Sequence, residues 1–584
     1  LLDHVVGFAR VSATPRFAEA TPELVDAILS EAGRVATDIL APLNRQGDTH
    51  PARLENGVVV SAPGFAEGYA ALAKGGWIGM AASPEYGGMG LPNALAMAVD
   101  EMMSGACLAL NVKPILTKGQ IEALEHHASD AIKALYLPKL INGTWSGTMN
   151  LTEPQAGSDL ALVRTRAEPQ PDGTYKVFGT KIYITYGEHD MAENIVHLVL
   201  ARVVGAPEGV KGISLFVVPK FMVGKDGALG ARNDVHCVSI EHKLGIKASP
   251  TAVLQYGDNG GAVGYVVGQE NRGLEYMFIM MNSARYAVGM QGVAVAEMAY
   301  QKAVRFAKDR VQSRPVDGSI KASAPIIHHP DVKRMLMTMR AYTEGCRAMA
   351  SGAAAAYDAS HHHPDAEVRK QNLAFYEFMV PLVKGYSTEM SLEVTSLGVQ
   401  VHGGMGFIEE TGAAQYYRDA KILTIYEGTT AIQANDLIGR KTMRDGGQTA
   451  KAIAAQIAVT EGELTRQGSA DALAVAKRLK AARLALIDVI EFVVDFGKNS
   501  PNAVFAGSVP YLMLAGNVVA GWQMARSLLI AQQELAKGVD VDFMKAKITT
   551  ARFYADHLLT KAPGMRDSIV EGADCVTALA LEAF

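Results

Sequence analysis

The spacing of apolar and polar positions changes twice along the chain. Over residues 22–40 the apolar positions follow a helical period, with Thr21 placed as an N-cap and Pro22 at the first helical position. The first 144 residues read as mostly helical. From Trp145 to about Gly268, short β-branched and aromatic runs take over, including Tyr175-Lys176-Val177-Phe178, Ile195 through Leu200 and Ile213 through Val218. Gly, Pro and Asp turns separate them, which predicts a compact β unit. After Gly273 the helical period returns: Tyr286, Met290, Val293, Ala296, Tyr300 and Val304 recur at spacings of three or four along one face of a long helix. Further helices are predicted over 331–358, 365–397 and 412–421, and the Ala-rich tail continues in the same mode. Its stripe of Leu479, Ala482, Leu486, Val489 and Val493 reads as core packing.

Composition narrows the function classes. A chain of 584 residues is too long for one ordinary core, so several packed units are expected. With 60 acidic against 55 basic residues and no basic block, nucleic acid is not an expected partner. The four cysteines, Cys107, Cys237, Cys346 and Cys575, lack metal-ligand spacing, so no metal site is expected and a reducing, cytoplasmic setting is. The first residue is Leu1 rather than Met, which leaves room for a processed start, and no signal-peptide pattern is legible. No charge occurs between Lys498 and Arg526, but Pro501, Asn502, Pro510, Gly516, Asn517 and Gln523 interrupt that stretch. It reads as a turn followed by a helix buried in protein, not as a membrane span. The run His361-His362-His363 offers metal-binding side chains, but with Pro364 and Asp365 following it reads as a solvated loop before a helix.

Two segments carry candidate chemistry. In Tyr426-Glu427-Gly428-Thr429-Thr430-Ala431-Ile432-Gln433, a carboxylate stands between the apolar Ile422, Leu423 and Ile425 and a Gly-Thr-Thr turn. Partial desolvation raises a carboxylate's pKa and suits it to proton abstraction, whereas the same Glu in a solvated turn does nothing of the kind. The second segment is Leu151-Thr152-Glu153-Pro154-Gln155-Ala156-Gly157-Ser158-Asp159, which is either a ligand cradle or an ordinary Pro-containing turn.

Together these segments resemble the paired signatures of the acyl-CoA dehydrogenase family, flavoenzymes that desaturate acyl thioesters between the α and β carbons. Similar segments follow in the family's order from Pro84-Glu85-Tyr86-Gly87-Gly88-Met89-Gly90 to Gly439-Arg440, with an extension from about Thr442 onward. The chain resembles an extended branch acting on 3-(methylthio)propanoyl-CoA, in layout and in Tyr186-Gly187-Glu188-His189-Asp190 and Glu241 through Pro250. The resemblance implies an α+β fold: an N-terminal helical domain (1–144), a middle β-barrel-like domain (145–270), a C-terminal four-helix bundle (271–441) and a helical extension (442–584).

It also implies the site. Glu427 would take the α proton while hydride leaves the β carbon for the flavin of FAD, and the thioester oxygen would meet the Glu427 N–H and a ribityl hydroxyl. Met149, Leu151 and Thr152 would contact the flavin ring, and Ser158 would lie near phosphate or pantetheine oxygens. Tyr183, where the family often has Trp, would pack on the isoalloxazine, with Thr185 near N5; a Tyr183 on the buried face of its strand is the alternative. Thr429 would be a further cofactor contact. Arg310, Gln400 and Gly404 would reach the adenine-dinucleotide half from a neighbouring subunit, so a homo-oligomer, at least a dimer, is expected; Gly403-Gly404-Met405-Gly406 alone is as well read as a tight turn. Asn282, Arg285 and Gly428 complete the acyl-CoA site, although Arg285 by residue type alone suits a helix-surface salt bridge equally. Electrons would pass to an electron-transferring flavoprotein. The other readings are a fatty acyl-CoA dehydrogenase of another chain length, an acyl-CoA oxidase, and a non-catalytic acyl-CoA-binding assembly protein.

Overall fold

Thr21-Pro22 opens a helix where the sequence predicts it: Pro22–Val35 is α-helical, and a wider helical turn, Ala36–Leu40, carries the chain on. The computed structural model describes residues 1–584. They fall into two units, one made of Pro22–Leu91 and Met102–Ala284, the other of Leu1–Thr21, Pro92–Glu101 and Arg285–Phe584.

The first unit holds the β structure. An eight-stranded sheet runs in the order Val235–Ile240, Thr251–Tyr256, Tyr175–Thr185, Ala262–Val266, Ile213–Pro219, Asn194–Val203 and Trp145–Asn150. The remaining strand, Arg166–Pro169, pairs with both Tyr175–Thr185 and Asn194–Val203. Val177, Val199, Phe216, Val218, Leu254 and Tyr256 fill the core, so the β-branched and aromatic runs mark the buried faces. One hairpin, Arg53–Glu55 with Val58–Val60, lies within the stretch read as helical. Its Asn56-Gly57 turn has φ 51° and 79°, the left-handed pair that a two-residue hairpin loop requires.

The second unit is helical. Pro330–His362 and Ala366–His402 form its longest antiparallel pair, and Ala413–Leu423 follows. Arg347 joins it to the helix Gly273–Asp309, with Nη2 2.7 Å from Glu297 and Nε 2.7 Å from Glu101. Of the predicted face, Tyr286, Met290, Val293 and Ala296 are buried, while Tyr300 and Val304 are half-buried. In the tail, Leu479, Ala482, Leu486, Val489 and Val493 are buried on Ala470–Phe496. The uncharged stretch forms a short helix, Pro501–Ala506, and then Ser508–Ala536, most of whose residues are buried. No helix is long and apolar enough to cross a membrane.

The histidine run differs from its predicted loop. His361 and His362 form the last turn of Pro330–His362, with His363 as its C-cap. His361 stacks on Tyr357 and His362 meets the edge of Phe17, so aromatic contacts prolong the helix past the expected stop. No group of His, Cys, Asp and Glu side chains is placed to hold a metal ion.

Candidate active site

Helix Thr430–Ile438 begins with Thr429 as N-cap, its Oγ1 accepting the Ile432 N–H at 3.4 Å. Between this helix and Ala413–Leu423 the chain turns sharply through Glu427 at φ 58° and Gly428 at φ 87°. A left-handed non-glycine residue costs about 1–2 kcal/mol and persists only where its surroundings over-determine it. Here they do. Gln433 Nε2 donates to the carbonyls of Glu427 (3.3 Å) and Gly428 (3.2 Å), and Lys384 Nζ donates to Gly428 O at 2.7 Å. A Cβ at position 428 would stand 2.8 Å from Gln433 Nε2, which fixes glycine there on two counts.

Burial pushes the Glu427 carboxyl up to about 7, against the opposing pull of Arg285 and then Lys384. A base in that range matches neutral pH, since it is available as carboxylate yet still holds a proton well. Arg285 is 5% exposed, so the surface salt bridge is ruled out; its Nε has no partner. Burial lowers this guanidinium's pKa, while Asp436 and Glu427 oppose the shift. Glu427, Gly428, Thr429 and Arg285 are therefore gathered in the helical unit, with Lys384 beside them.

The β unit gathers the other set: Met149, Leu151, Thr152, Ser158, Tyr183 and Thr185, together with Asn282. Thr152 O accepts the Ile182 N–H at 3.0 Å, tying the two predicted flavin segments together. Beneath them, Lys181 Nζ donates to Leu151 O at 2.9 Å and to Glu153 Oε1 at 2.8 Å. The Glu153 carboxylate also accepts the N–H groups of Arg164 (2.7 Å) and Thr165 (3.0 Å). Burial pulls Glu153 upward, but Lys181 and these donors outweigh it and hold it below the usual carboxylate range.

Tyr183 does not lie on a buried face. The pairing of Ala252 with Ile184 and of Leu254 with Lys181 leaves Ile182 and Tyr183 opposite one residue, a β-bulge. Tyr183 takes φ 60° there and is 61% exposed. A bulge that re-aims an aromatic outward breaks the alternation on which the buried-face reading rested.

Arg310 and Gln400 are exposed, and Gly404 lies in the short helical turn Gly403–Phe407. The Phe306 and His402 rings meet at a tilt with centroids 4.4 Å apart, so the ends of the two helices that lead to Arg310 and Gln400 lie side by side. The tight-turn reading of Gly403 through Gly406 and a ligand contact at Gly404 are compatible with that placement.

Lys384, Gln433, Glu153 and Lys181 went unassigned in the sequence. The available signal for Lys384 was a lone charge after Phe378-Met379-Val380-Pro381-Leu382-Val383 in a helix with no exposed face at that point.

Family models cover nearly the whole chain: acyl-CoA dehydrogenase, N-terminal domain, over 27–144; middle domain, over 148–258; C-terminal domain, over 271–442; and acetyl-CoA dehydrogenase C-terminal like, over 449–580. A 3-methylmercaptopropionyl-CoA dehydrogenase of Ruegeria pomeroyi is 54% identical over 580 residues, 99% of this chain and 98% of that protein. A butyryl-CoA dehydrogenase of Syntrophomonas wolfei is 34% identical over 554 residues, 93% of this chain and 90% of that one. An acyl-CoA dehydrogenase of Bacillus anthracis solved in complex with FAD shares the fold, with TM-score 0.73 and 20% identity over 98% of this chain and 91% of its own.

Proposed function

We propose that this chain, which belongs to the acyl-CoA dehydrogenase family, catalyses the FAD-dependent α,β-dehydrogenation of 3-(methylthio)propanoyl-CoA to the trans-2-enoyl thioester. The observation that carries the reaction type is Glu427: a carboxyl held by its neighbours in a left-handed turn and raised by burial to about 7. The acyl group rests on the 54% identical Ruegeria pomeroyi protein.

Glu427 accepts the α proton, which the thioester carbonyl acidifies. As that proton leaves, negative charge gathers on the carbonyl oxygen, and the Glu427 N–H is the donor that meets it. Arg285, buried with an unpartnered Nε, supplies a positive charge that the Glu427 carboxyl feels. Asn282 and Ser158 take polar groups of the CoA moiety.

The residues present fit a flavin. Tyr183 offers an outward aromatic face on a bulge, and Met149, Leu151, Thr152 and Thr185 lie on the segments that Glu153 and Lys181 lock together. Bound FAD supplies the hydride acceptor for the β carbon. Arg310, Gln400 and Gly404 of a second subunit, with Thr429, complete the cofactor contacts in this reading, so the working enzyme is at least a homodimer. An electron-transferring flavoprotein takes the electrons onward, and the unpaired cysteines suit a cytoplasmic setting.

The closed cycle in which Arg166–Pro169 links Tyr175–Thr185 to Asn194–Val203 supports a barrel-like middle domain over 145–270. The family-model bounds of 27–144, 271–442 and 449–580 support divisions near 144 and 442, and the helices Gly273–Asp309, Pro330–His362, Ala366–His402 and Ala413–Leu423 are those available to a four-helix bundle over 271–441.

Steady-state kinetics with 3-(methylthio)propanoyl-CoA, butanoyl-CoA and longer acyl-CoAs tests the substrate. The reading expects the highest kcat/KM for the first. A higher value for butanoyl-CoA transfers the assignment to the short-chain fatty acyl substrates. Peroxide released at the rate of turnover without an added acceptor points instead to an oxidase.

A further inference from the structure

We infer that Lys384 is a positioning residue for the reaction: its ammonium clamps the Gly428 carbonyl, fixes the Glu427 turn and sets the ionisation of the base. The inference rests on the reading of Glu427 as that base.

Lys384 is fully buried on Ala366–His402, among Met379, Leu382, Val383 and Tyr386. Taking an ammonium out of water is expensive, and a methionine would fill the same helix position without that penalty. The one hydrogen bond it makes, 2.7 Å to Gly428 O, goes to the residue that follows the base. The same helix grips the turn a second time. Five residues along, Glu389 Oε1 accepts the hydroxyl of Thr430 at 2.5 Å. With Gln433 Nε2 on the carbonyls of Glu427 and Gly428, the peptide group bearing the base is held from two helices.

The charges facing this cluster are few. Lys384 faces Glu427, Arg285 from Gly273–Asp309, and Glu389 on its own helix. Glu427 faces Arg285 and Lys384, and the Tyr426 phenol beside it donates to Gln291 Oε1. Arg285 in turn faces Asp436 and Arg440 from the helix and turn that follow the base. Burial lowers Lys384 to about 7, the level to which burial raises Glu427. The charge of each opposes the shift that burial imposes on the other, so a proton gained or lost at one is felt at the other.

Lys384→Met removes donor and charge, Lys384→Gln keeps a donor without charge, and Lys384→Arg keeps both in another shape. Each holoenzyme is compared with wild type and with Glu427→Gln, at matched flavin content, for the pH dependence of kcat/KM and for kcat and KM separately. The acid limb is expected to move upward by about 1 unit or more in Lys384→Met and Lys384→Gln. It should stay near the wild-type position in Lys384→Arg. In Lys384→Met kcat falls at least ~10-fold with KM little changed, since an interaction that positions the base acts on the transition state. A wild-type acid limb in Lys384→Gln overturns the inference, and does so even where Lys384→Met fails to fold. If Glu427→Gln is inactive while the Lys384 series keeps wild-type profiles, only this inference falls; if Glu427→Gln turns over normally, the base assignment itself falls.

Discussion

Lys181 Nζ stands 2.8 Å from Glu153 Oε1, with side chains 0% and 3% exposed, and joins the segment 149–158 to the strand that carries Tyr183 and Thr185. Removing one partner of such a pair strands a buried charge. Lys181→Met is therefore expected to lower stability by about 3–5 kcal/mol in chemical denaturation. It should also loosen the flavin, read as free FAD after gel filtration. A variant of wild-type stability that keeps its FAD would mean that the pair does not organise these segments.

Tyr183 separates backbone strain from cofactor contact. Its left-handed φ of 60° favours glycine, so Tyr183→Gly should relieve about 1 kcal/mol of strain in the apoprotein. The same change removes the outward ring, and FAD dissociation should quicken. The apoprotein melting temperature and the rate of flavin release from the holoprotein, measured side by side, should both rise.

How much of this was legible in the sequence divides along physical lines. Regular periods announced the long helices and most core strands, because burial on one face writes itself into spacing. The bulge at Tyr183 was not legible: it depends on a register shift against Ala252 and Leu254, which no local pattern records. The Arg53–Glu55 hairpin carries its signal in Asn56-Gly57, but its two strands are only three residues each and lie between helices. His361 and His362 are exposed yet helical: His361 stacks on Tyr357 one turn back in the same helix, and His362 meets the edge of Phe17, a tertiary contact that no local pattern records. Glu427 was found by motif, but Lys384 lies forty-three positions earlier in the chain, and only folding brings it to Gly428.

The tail behaves as part of the helical unit. Thr442 and Tyr511 hydroxyls lie 3.0 Å apart, and Tyr386 and Tyr554 hydroxyls 3.1 Å apart, all buried. Ending the chain near Thr442 strips cover from Tyr386 and the helix Ala366–His402, whose exposed apolar surface should make the fragment aggregate. Light scattering of the truncated protein checks this. A soluble, stable fragment that fails on one acyl-CoA alone would assign the tail to substrate choice instead.

Arg310→Ala addresses the shared-site reading. A guanidinium clamping a pyrophosphate across a subunit contact links cofactor to assembly, so flavin content and sedimentation coefficient should fall together. Full FAD occupancy in a monomer would break that link.

The central claim is that Glu427 is the base. Because its pKa is raised to about 7 and the carboxylate is the active form, kcat/KM should rise with pH through about 7 and fall as protonation sets in below it. The most direct measurement is turnover of 3-(methylthio)propanoyl-CoA by folded, FAD-replete Glu427→Gln. A loss of at least ~100-fold is the predicted result, since the amide keeps size and shape but accepts no proton. Turnover within a few-fold of wild type, with the same pH dependence, would contradict the account.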